Sequence, residues 1–193
     1  MTSRRPPPAI RGAYLRDNYA VLDRLGADVA AHVNARLDGE VLRGLAAARA
    51  DAWEPVELDV ALTDALFAEL GERGLRRANR EVFLAAIEGP LLKPMFAGLR
   101  RMLGITPLAL LRLAPRLWNT IYRGCGDLSL EQHEGRHAIV LDGVPPALLA
   151  SPPYFLGVSG VIDACFVLTR RTGTVDVEVD AEARRVRWRV HWE

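Results

Sequence analysis

An excess of either charge is missing from this sequence. Its 193 residues carry 25 basic and 24 acidic side chains, a formal net charge of +1 at pH 7. A chain so close to neutral has no overall field that would draw it onto nucleic acid or an anionic membrane. We therefore expect no nucleic-acid partner.

Cysteines and catalytic motifs are also scarce. Cys125 and Cys165 are the only cysteines, too few for a cysteine cluster or a disulfide framework, and we expect both to be free, buried thiols in a reducing cytoplasm. The sequence contains no phosphate-binding glycine loop, zinc-protease helix motif, serine elbow or kinase signature. Composition and motifs therefore indicate no reaction, no metal and no cofactor.

A clean membrane-length apolar run is lacking as well. The longest uncharged stretch, residues 143–162, has the length of a membrane span, but four prolines interrupt its first half. Proline removes a backbone donor and breaks helices. The stretch therefore predicts a loop followed by a buried helix, and no membrane span.

Residues 13–123 show the periodicity of helices. Apolar residues recur at spacings of three and four from Leu15 to Val33, which predicts one amphipathic helix that ends near Asp38-Gly39. Later helices are predicted, with Gly71 as a stop and Thr106-Pro107 as a cap and first turn. No strand is predicted in this half.

After Gly124 the period changes to that of strands. Two short runs joined by a His-Glu-Gly turn predict a hairpin, a helix is predicted from about 153 to 170, and a second hairpin turns around Ala181-Glu182. Two hairpins around a helix indicate a four-stranded antiparallel sheet in the order ββαββ.

The fold class that follows is α+β, with an N-terminal helical bundle packed on the C-terminal four-stranded antiparallel sheet. We expect residues 1–12 to be disordered. Residues 13–193 are expected to form a single domain, with a helical half at 13–123 and a ββαββ half at 124–193.

The closing stretch RRVRWRVHWE interleaves arginine with tryptophan, a composition shared with platforms for single-stranded nucleic acid. In a strand, however, alternate side chains point to opposite faces. Val186, Trp188, Val190 and Trp192 are therefore predicted to be buried together, with the arginines turned outward toward acidic residues such as Glu178 on the neighbouring strand.

The histidines give little support for a metal site. His133 and His137 are four residues apart, but they flank a glycine turn, where that spacing does not bring two side chains together as it does on a helix. We expect solvated turn residues there. His32 is expected to be a half-buried packing residue of the first helix.

Two further residues are candidates for catalysis. Cys125 lies between two glycines, where backbone amides could approach its thiol, but the sequence ties no base to it. Asp163 is the one acid in an apolar helix. It is either a buried functional group or part of a solvent-facing edge with Ser159 and Arg170.

Aromatic side chains near the middle of the chain are candidates for ligand binding. Trp118 and Tyr122 are four residues apart near the end of a helix, and Tyr154 and Phe155 begin another. These side chains either line a small-molecule cavity between the helices and the sheet, together with Asp163, or pack in the core.

Several segments carry a resemblance to known families. The series APRLWNTIYRGCGDLSLE, AIVLDGVPP and VDVEVD with VRWRVHW resembles a paralogous protein family of myxobacteria. That family in turn resembles the haem-nitric-oxide-binding and 4-vinyl-reductase group of domains and the TRAPP-type trafficking subunits.

The resemblance implies helices packed on an antiparallel sheet around a ligand cavity, with a role in small-molecule sensing or scaffolding. The haem-binding members use a helical histidine and a Tyr-x-Ser-x-Arg motif. That motif is absent from this sequence, in which His32 is the one candidate histidine, so the resemblance does not extend to haem.

The sequence thus predicts a non-enzymatic, cytoplasmic regulatory domain that binds a small apolar ligand or a protein partner. Two alternatives stay open. One is an enzyme of unknown reaction that draws on Asp163, Cys125 and His133. The other is a structural module that forms homodimers through a helix face or a sheet edge.

Overall fold

Helices and two antiparallel sheets make up the computed structural model, which describes residues 6–102, 105–133 and 136–193. The helices are α1 (Gly12–Tyr19), α2 (Leu22–Leu25), α3 (Ala27–Arg36), α4 (Gly39–Ala47), α5 (Val56–Ala86), α6 (Lys93–Met102), α7 (Pro107–Ile121), α8 (Pro146–Leu149) and α9 (Pro152–Thr169). The strands are β1 (Ala9–Arg11), β2 (Trp53–Pro55), β3 (Tyr122–Arg123), β4 (Asp127–His133), β5 (Arg136–Asp142), β6 (Gly173–Asp180) and β7 (Arg185–Trp192). The predicted α+β class is confirmed.

The first helical region is interrupted rather than continuous. Gly26 has φ 100° and separates α2 from α3, so the prediction of one long helix is wrong. A positive φ is favourable for glycine because it has no Cβ. Asp38, the predicted end of that helix, instead caps α4 by accepting hydrogen bonds from the backbone amides of Glu40 and Val41.

Helix α5 is the long central helix against which α1, α3 and α9 pack. Gly71, the predicted stop, has φ 64° and leaves helical geometry there, and the helix resumes beyond it. The predicted start of α7 is confirmed, since the Thr106 hydroxyl accepts a hydrogen bond from the Ala109 amide at 3.1 Å and Pro107 occupies the first turn.

A small sheet absent from the prediction ties the N-terminus to the middle of the chain. Its strand order is β2-β1-β3, with all neighbours antiparallel. Ile10 on β1 is fully buried. Strand β1 thus begins at Ala9, inside the segment 1–12 that was expected to be disordered.

The larger sheet has the order β4-β5-β7-β6, with both hairpins antiparallel as predicted. The predicted His-Glu-Gly turn includes residues 134 and 135, which lie outside the described residues. Trp188 is 0 % exposed on the inner face, and Arg189 and Arg187 pair with Glu178 and Glu131 on the outer face. The two-sided interpretation of the C-terminal strand is confirmed for Val186, Trp188 and Val190, which are buried. Trp192 was expected to be buried with them, but it is only half-buried and stacks on His137.

Helix α9 packs between α5 and the larger sheet. Its length and hydropathy would also allow it to cross a membrane, and it is the one such helix in the described part of the chain. Core helices share those properties, so the finding is weak evidence for a span. The predicted sequence of proline-rich loop and apolar helix corresponds to α8 and α9.

Candidate functional site

Trp118 and Tyr122 lie together where α7 runs into β3. Their ring centroids are 4.3 Å apart, and both side chains are buried. The indole Nε1 of Trp118 donates a hydrogen bond to the carbonyl oxygen of Gly126 at 3.2 Å. This pairing satisfies the polar edge of the indole and leaves its apolar surface free for packing.

Beside these two rings lies an apolar cavity of about 80 Å³. None of the described residues that line it carries a charged side chain. Its walls come from α1, α5, α7, β3, β4, β5 and α9, so it sits where the helical half meets the sheet. The lining residues are Tyr14, Phe83, Ala114, Leu117, Trp118, Ile121, Tyr122, Leu128, Ile139, Val158, Val161 and Ile162.

The cavity reaches the protein surface on one side. Ala114 on α7, Leu128 on β4, and Val158 and Val161 on α9 are only half-buried, whereas the other lining residues are buried. An entrance therefore lies between α7, β4 and α9. A small molecule could enter there without unfolding of the core.

A buried polar cluster, the tyrosine–aspartate cluster, borders the cavity. It is centred on Asp59 of α5, which is 2 % exposed. Asn18 Nδ2 donates to Asp59 Oδ1 at 2.7 Å, Tyr154 donates to Oδ2 at 2.7 Å, and Tyr122 donates to Oδ2 at 3.5 Å. Tyr14 completes the cluster, because its phenol interacts electrostatically with Asp59.

Burial controls the protonation of this cluster. Burial raises the pKa of Asp59, and the hydrogen bonds from Tyr154, Asn18 and Tyr122 offset only part of that rise. Burial and the nearby Asp59 carboxylate also raise the pKa of Tyr14, Tyr122 and Tyr154. The tyrosines are therefore neutral phenols. No described basic side chain forms an ion pair with Asp59.

Asn18 provides an acceptor for a proton on Asp59. Its Oδ1 is buried and has no hydrogen-bond partner in the described structure. The oxygen and nitrogen of an asparagine amide are interchangeable by rotation. The rotated amide would place its oxygen next to Asp59, where it would accept a hydrogen bond from the protonated carboxyl group.

Asp163 lies apart from the cavity. Arg76 on α5 binds both of its carboxylate oxygens, with Nε and Nη2 at 3.1 and 3.0 Å, and also donates to the Val175 carbonyl oxygen. Asp163 therefore ties α9 to α5. It does not share a solvent-facing edge with Ser159, as one alternative required, because Ser159 is fully buried.

The predicted aromatic residues divide between two places. Trp118 and Tyr122 line the cavity. Tyr154 does not line it but donates a hydrogen bond to Asp59 in the tyrosine–aspartate cluster beside it. Phe155 instead packs edge-to-face on Trp188, with ring centroids 6.1 Å apart. The prediction omitted Tyr14, Asn18 and Asp59.

One signal could have identified Asp59 from sequence. It follows Val56 by three residues and precedes Leu62 by three, so helical periodicity places this acid on the apolar face of α5. An acid on such a face is buried and must find donors. The identity of those donors could not be inferred from the pattern.

The candidate catalytic residues do not form a recognisable catalytic constellation. The Cys125 thiol hydrogen-bonds to the carbonyl oxygens of Arg123 and Ala9, and burial raises its pKa to about 12. Asp163 is paired with Arg76. Among the described residues, no group of three or more histidine, cysteine or acidic side chains could hold a metal ion.

Comparison with known proteins identifies the fold but not a sequence family. No family model matches the chain, and no curated protein matches it. The Fe(II) unliganded H-NOX protein from K. algicida has a TM-score of 0.63 and 10 % identity over 95 % of this chain and 97 % of its own. A mutant of T. tengcongensis H-NOX has a TM-score of 0.60 and 12 % identity over 95 % and 98 % of the two chains.

A third match comes from a study of haem distortion in the H-NOX family, with a TM-score of 0.58 and 13 % identity over 95 % of both chains. The resemblance to haem-nitric-oxide-binding domains is therefore confirmed for the fold. The finer resemblance to a myxobacterial family stays a prediction.

The residues of this cavity do not fit a haem. Protein ligands to haem iron are histidine, cysteine, methionine or tyrosinate, and the two candidate donors among the described lining residues are the neutral phenols of Tyr14 and Tyr122. His32 on α3 is exposed beside Glu69, not half-buried as expected. A volume of about 80 Å³ is also far below the roughly 300–1,000 Å³ of sites for cofactors and drug-sized ligands.

Proposed function

We propose that this chain is a haem-free regulatory domain that binds a small apolar molecule in the cavity beside Trp118 and Tyr122. The observation that carries the proposal is an uncharged cavity of about 80 Å³ with an entrance, placed where the helices and the sheet meet. An empty cavity of that size costs a fold about 2 kcal/mol. A ligand that fills it offsets this cost and stabilises the domain.

The position of the cavity gives the ligand a way to act on the rest of the domain. Tyr14, Phe83, Trp118, Ile139 and Val161 bring five different elements to its wall. Binding therefore favours the arrangement in which these elements close around the ligand. We propose that a protein partner responds to that arrangement, in the cytoplasm, as the two free thiols support.

The two alternative functions have less support. An enzyme would need reactive groups in contact, and the hydrogen bonds of Cys125 and Asp163 lead to different partners. A dimerisation module would need an apolar surface, whereas the exposed large apolar side chains of the described chain are Val167 and Val179.

Xenon tests the proposal, since it fills apolar cavities without requiring a polar contact. Methyl NMR spectra of the wild-type protein under xenon pressure should show saturable shifts at Ile139, Val158 and Val161. The Val158→Phe variant should lose these shifts because the ring fills the cavity. The matched control, Val167→Phe, changes the exposed part of the same helix and should keep them. Shifts that are absent in the wild-type protein would refute the proposed function.

A further inference from the structure

The part of α5 that follows Gly71 carries a row of arginines along one face, among them Arg73 and Arg80 at a spacing of two helical turns. Two open depressions of about 650 and 660 Å³ share Arg76, Arg80 and Asp163 and together form a groove between α5, the end of α9 and the start of β6. The charged residues that line this arginine groove are Glu72, Arg73, Arg76, Arg77, Arg80, Asp163, Arg170, Arg171 and Asp176.

The arginine groove holds more positive charge than its own acids neutralise. Six arginines and three acidic residues line it, an excess of three charges in a chain whose formal net charge is +1. Arg76 pairs with Asp163 and Glu72, and Arg77 pairs with Glu81. Like charges along one groove repel one another, so an anionic partner is bound favourably there. The arginines that form no ion pair with any residue the structure describes are Arg73, Arg80, Arg170 and Arg171.

Arg170 adopts a backbone conformation that is unfavourable for arginine. It has φ 54° and ψ 40° at the end of α9, in the left-handed region where glycine is the usual residue because it has no Cβ. Arg184 also has a positive φ, but its guanidinium group donates to the carbonyl oxygens of Val144 and Gly143. The exposed side chain of Arg170 makes no such bond in the described structure. The cost of its conformation is therefore not offset there, as is common where a residue serves a binding site.

One apolar side chain in the groove indicates what kind of anion fits. Val167 is 49 % exposed and is one of the two exposed large apolar residues of the described chain. A protein segment offers both carboxylates and an apolar side chain, whereas an inorganic anion offers charge alone and would leave most of the groove empty. Single-stranded nucleic acid stacks its bases on exposed aromatic rings. The one aromatic residue among the described lining residues, Phe166, is only 6 % exposed.

We propose that the arginine groove binds an acidic segment of a partner protein, with carboxylates paired to Arg80, Arg170 and Arg171 and an apolar side chain against Val167. This inference rests on the proposed function, which calls for a protein partner, and it adds the surface and the chemistry of that partner. Helices α5 and α9 also line the cavity, so the ligand and the partner contact the same two helices.

A synthetic peptide with one leucine between two pairs of glutamates, capped at both ends, tests the inference. In NMR titrations of the full chain it should shift the Val167 methyl resonances in a saturable way. Serine in place of the leucine should weaken binding about three- to tenfold, because the apolar contact is lost, and lysines in place of the glutamates should abolish it. A ten-nucleotide oligothymidine should not produce the Val167 shifts. If it bound there as tightly as the peptide, an acidic protein segment would be the wrong occupant.

Two variants separate this groove from the charge of the whole protein. Arg171→Glu should weaken peptide binding about tenfold, because an attraction becomes a repulsion. Arg43→Glu makes the same change on the exposed side of α4, outside the groove, and should change the affinity less than about twofold. Equal losses in the two variants would overturn the inference. Arg170→Gly should weaken binding and also raise the midpoint of urea denaturation, since glycine suits the left-handed conformation.

The outcomes also separate this inference from the proposed function. If the wild-type protein takes up xenon but its Val167 resonances do not respond to the acidic peptide, the partner surface is wrong and the proposed cavity stands. Peptide binding without any xenon shift would refute the cavity and keep the groove. An Arg170→Gly variant that binds the peptide as tightly as the wild type does would show that Arg170 takes no part in binding.

Discussion

Two buried tryptophans show how differently the two sides of this fold are packed. Trp188 on β7 donates its indole hydrogen to the Phe155 carbonyl oxygen at 3.1 Å, and Trp118 donates its own to that of Gly126 at 3.2 Å. Trp188 is enclosed between the sheet and α9, whereas Trp118 borders a cavity of about 80 Å³. The same residue with the same kind of hydrogen bond is therefore compatible with either a filled core or an open one.

Helix α9 belongs to both regions, and its two faces explain the difference. Its glycine face packs so closely on α5 that a Cβ at Gly160 would lie 2.2 Å from the backbone oxygen of Arg76. Its valine face, with Val158 and Val161, lines the cavity. The helix is thus fixed by backbone contact with α5 and cannot move toward α7 to close the space beside Trp118.

Gly160→Ala should have the largest effect, because it acts on that fixed contact. The added methyl group meets backbone atoms that cannot move away, so we expect a loss of about 3 kcal/mol in the free energy of unfolding. Urea denaturation measures it. The control is Gly157→Ala, where the nearest atom is the side-chain nitrogen of Asn79 at 3.2 Å. That side chain can shift, and alanine favours a helix, so we expect a change below about 1 kcal/mol. Equal losses in the two variants would show that α9 is not held by backbone contact.

The packed region could be predicted from the sequence, because its pattern is local. Alternation along one strand places Trp188 inside and Arg187 outside, and the register of the hairpin supplies Glu178 opposite. The tyrosine–aspartate cluster could not be predicted in the same way. Asp59 finds its donors 41, 63 and 95 residues away in the chain, at Asn18, Tyr122 and Tyr154.

Periodicity shows which face of a helix is apolar, but it does not show which faces meet. Trp118 and Tyr122 were therefore identifiable as aromatic candidates, while their partnership with Asp59 and Tyr14 depended on the tertiary arrangement. The three-stranded sheet was missed for the same reason, because it pairs Ala9 with both Pro55 and Arg123 through strands of two or three residues.

Asp59 should make the cavity region sensitive to pH. Burial raises its pKa above the ordinary 3.8, so the protonated form is the one that the fold favours. Its contribution to stability is fully present below pH 3.8 and is lost as the pH rises through the value in the folded protein. Asp59→Asn should remove this loss, since an amide can accept from Tyr154 and donate to the unpaired oxygen of Asn18.

The variant should therefore be more stable than the wild type at pH 7, by on the order of 1 kcal/mol, and equal to it near pH 3.5. Thermal unfolding across this range measures the difference. Asp142 is the control, because its pKa shifts in the opposite direction: the hydrogen bond from Arg185 lowers it. Asp142→Asn should therefore be less stable than the wild type at pH 7. A stability difference for Asp59→Asn that does not change with pH would mean that folding does not raise the pKa of Asp59.

Val161→Ile has the smallest expected effect, and Val186→Ile makes the same chemical change in the packed region. Val161→Ile adds one methylene beside the cavity, and Val186→Ile adds one on the inner face of β7, where Val186 is fully buried. Filling a void gains about 0.5–1 kcal/mol, whereas overpacking a filled core costs about 1–3 kcal/mol. Chemical denaturation should thus give changes of opposite sign, and Val161→Ile should also weaken xenon binding. If both variants lost stability equally, the space beside Trp118 would not be available to a methylene, and a ligand could not use it either.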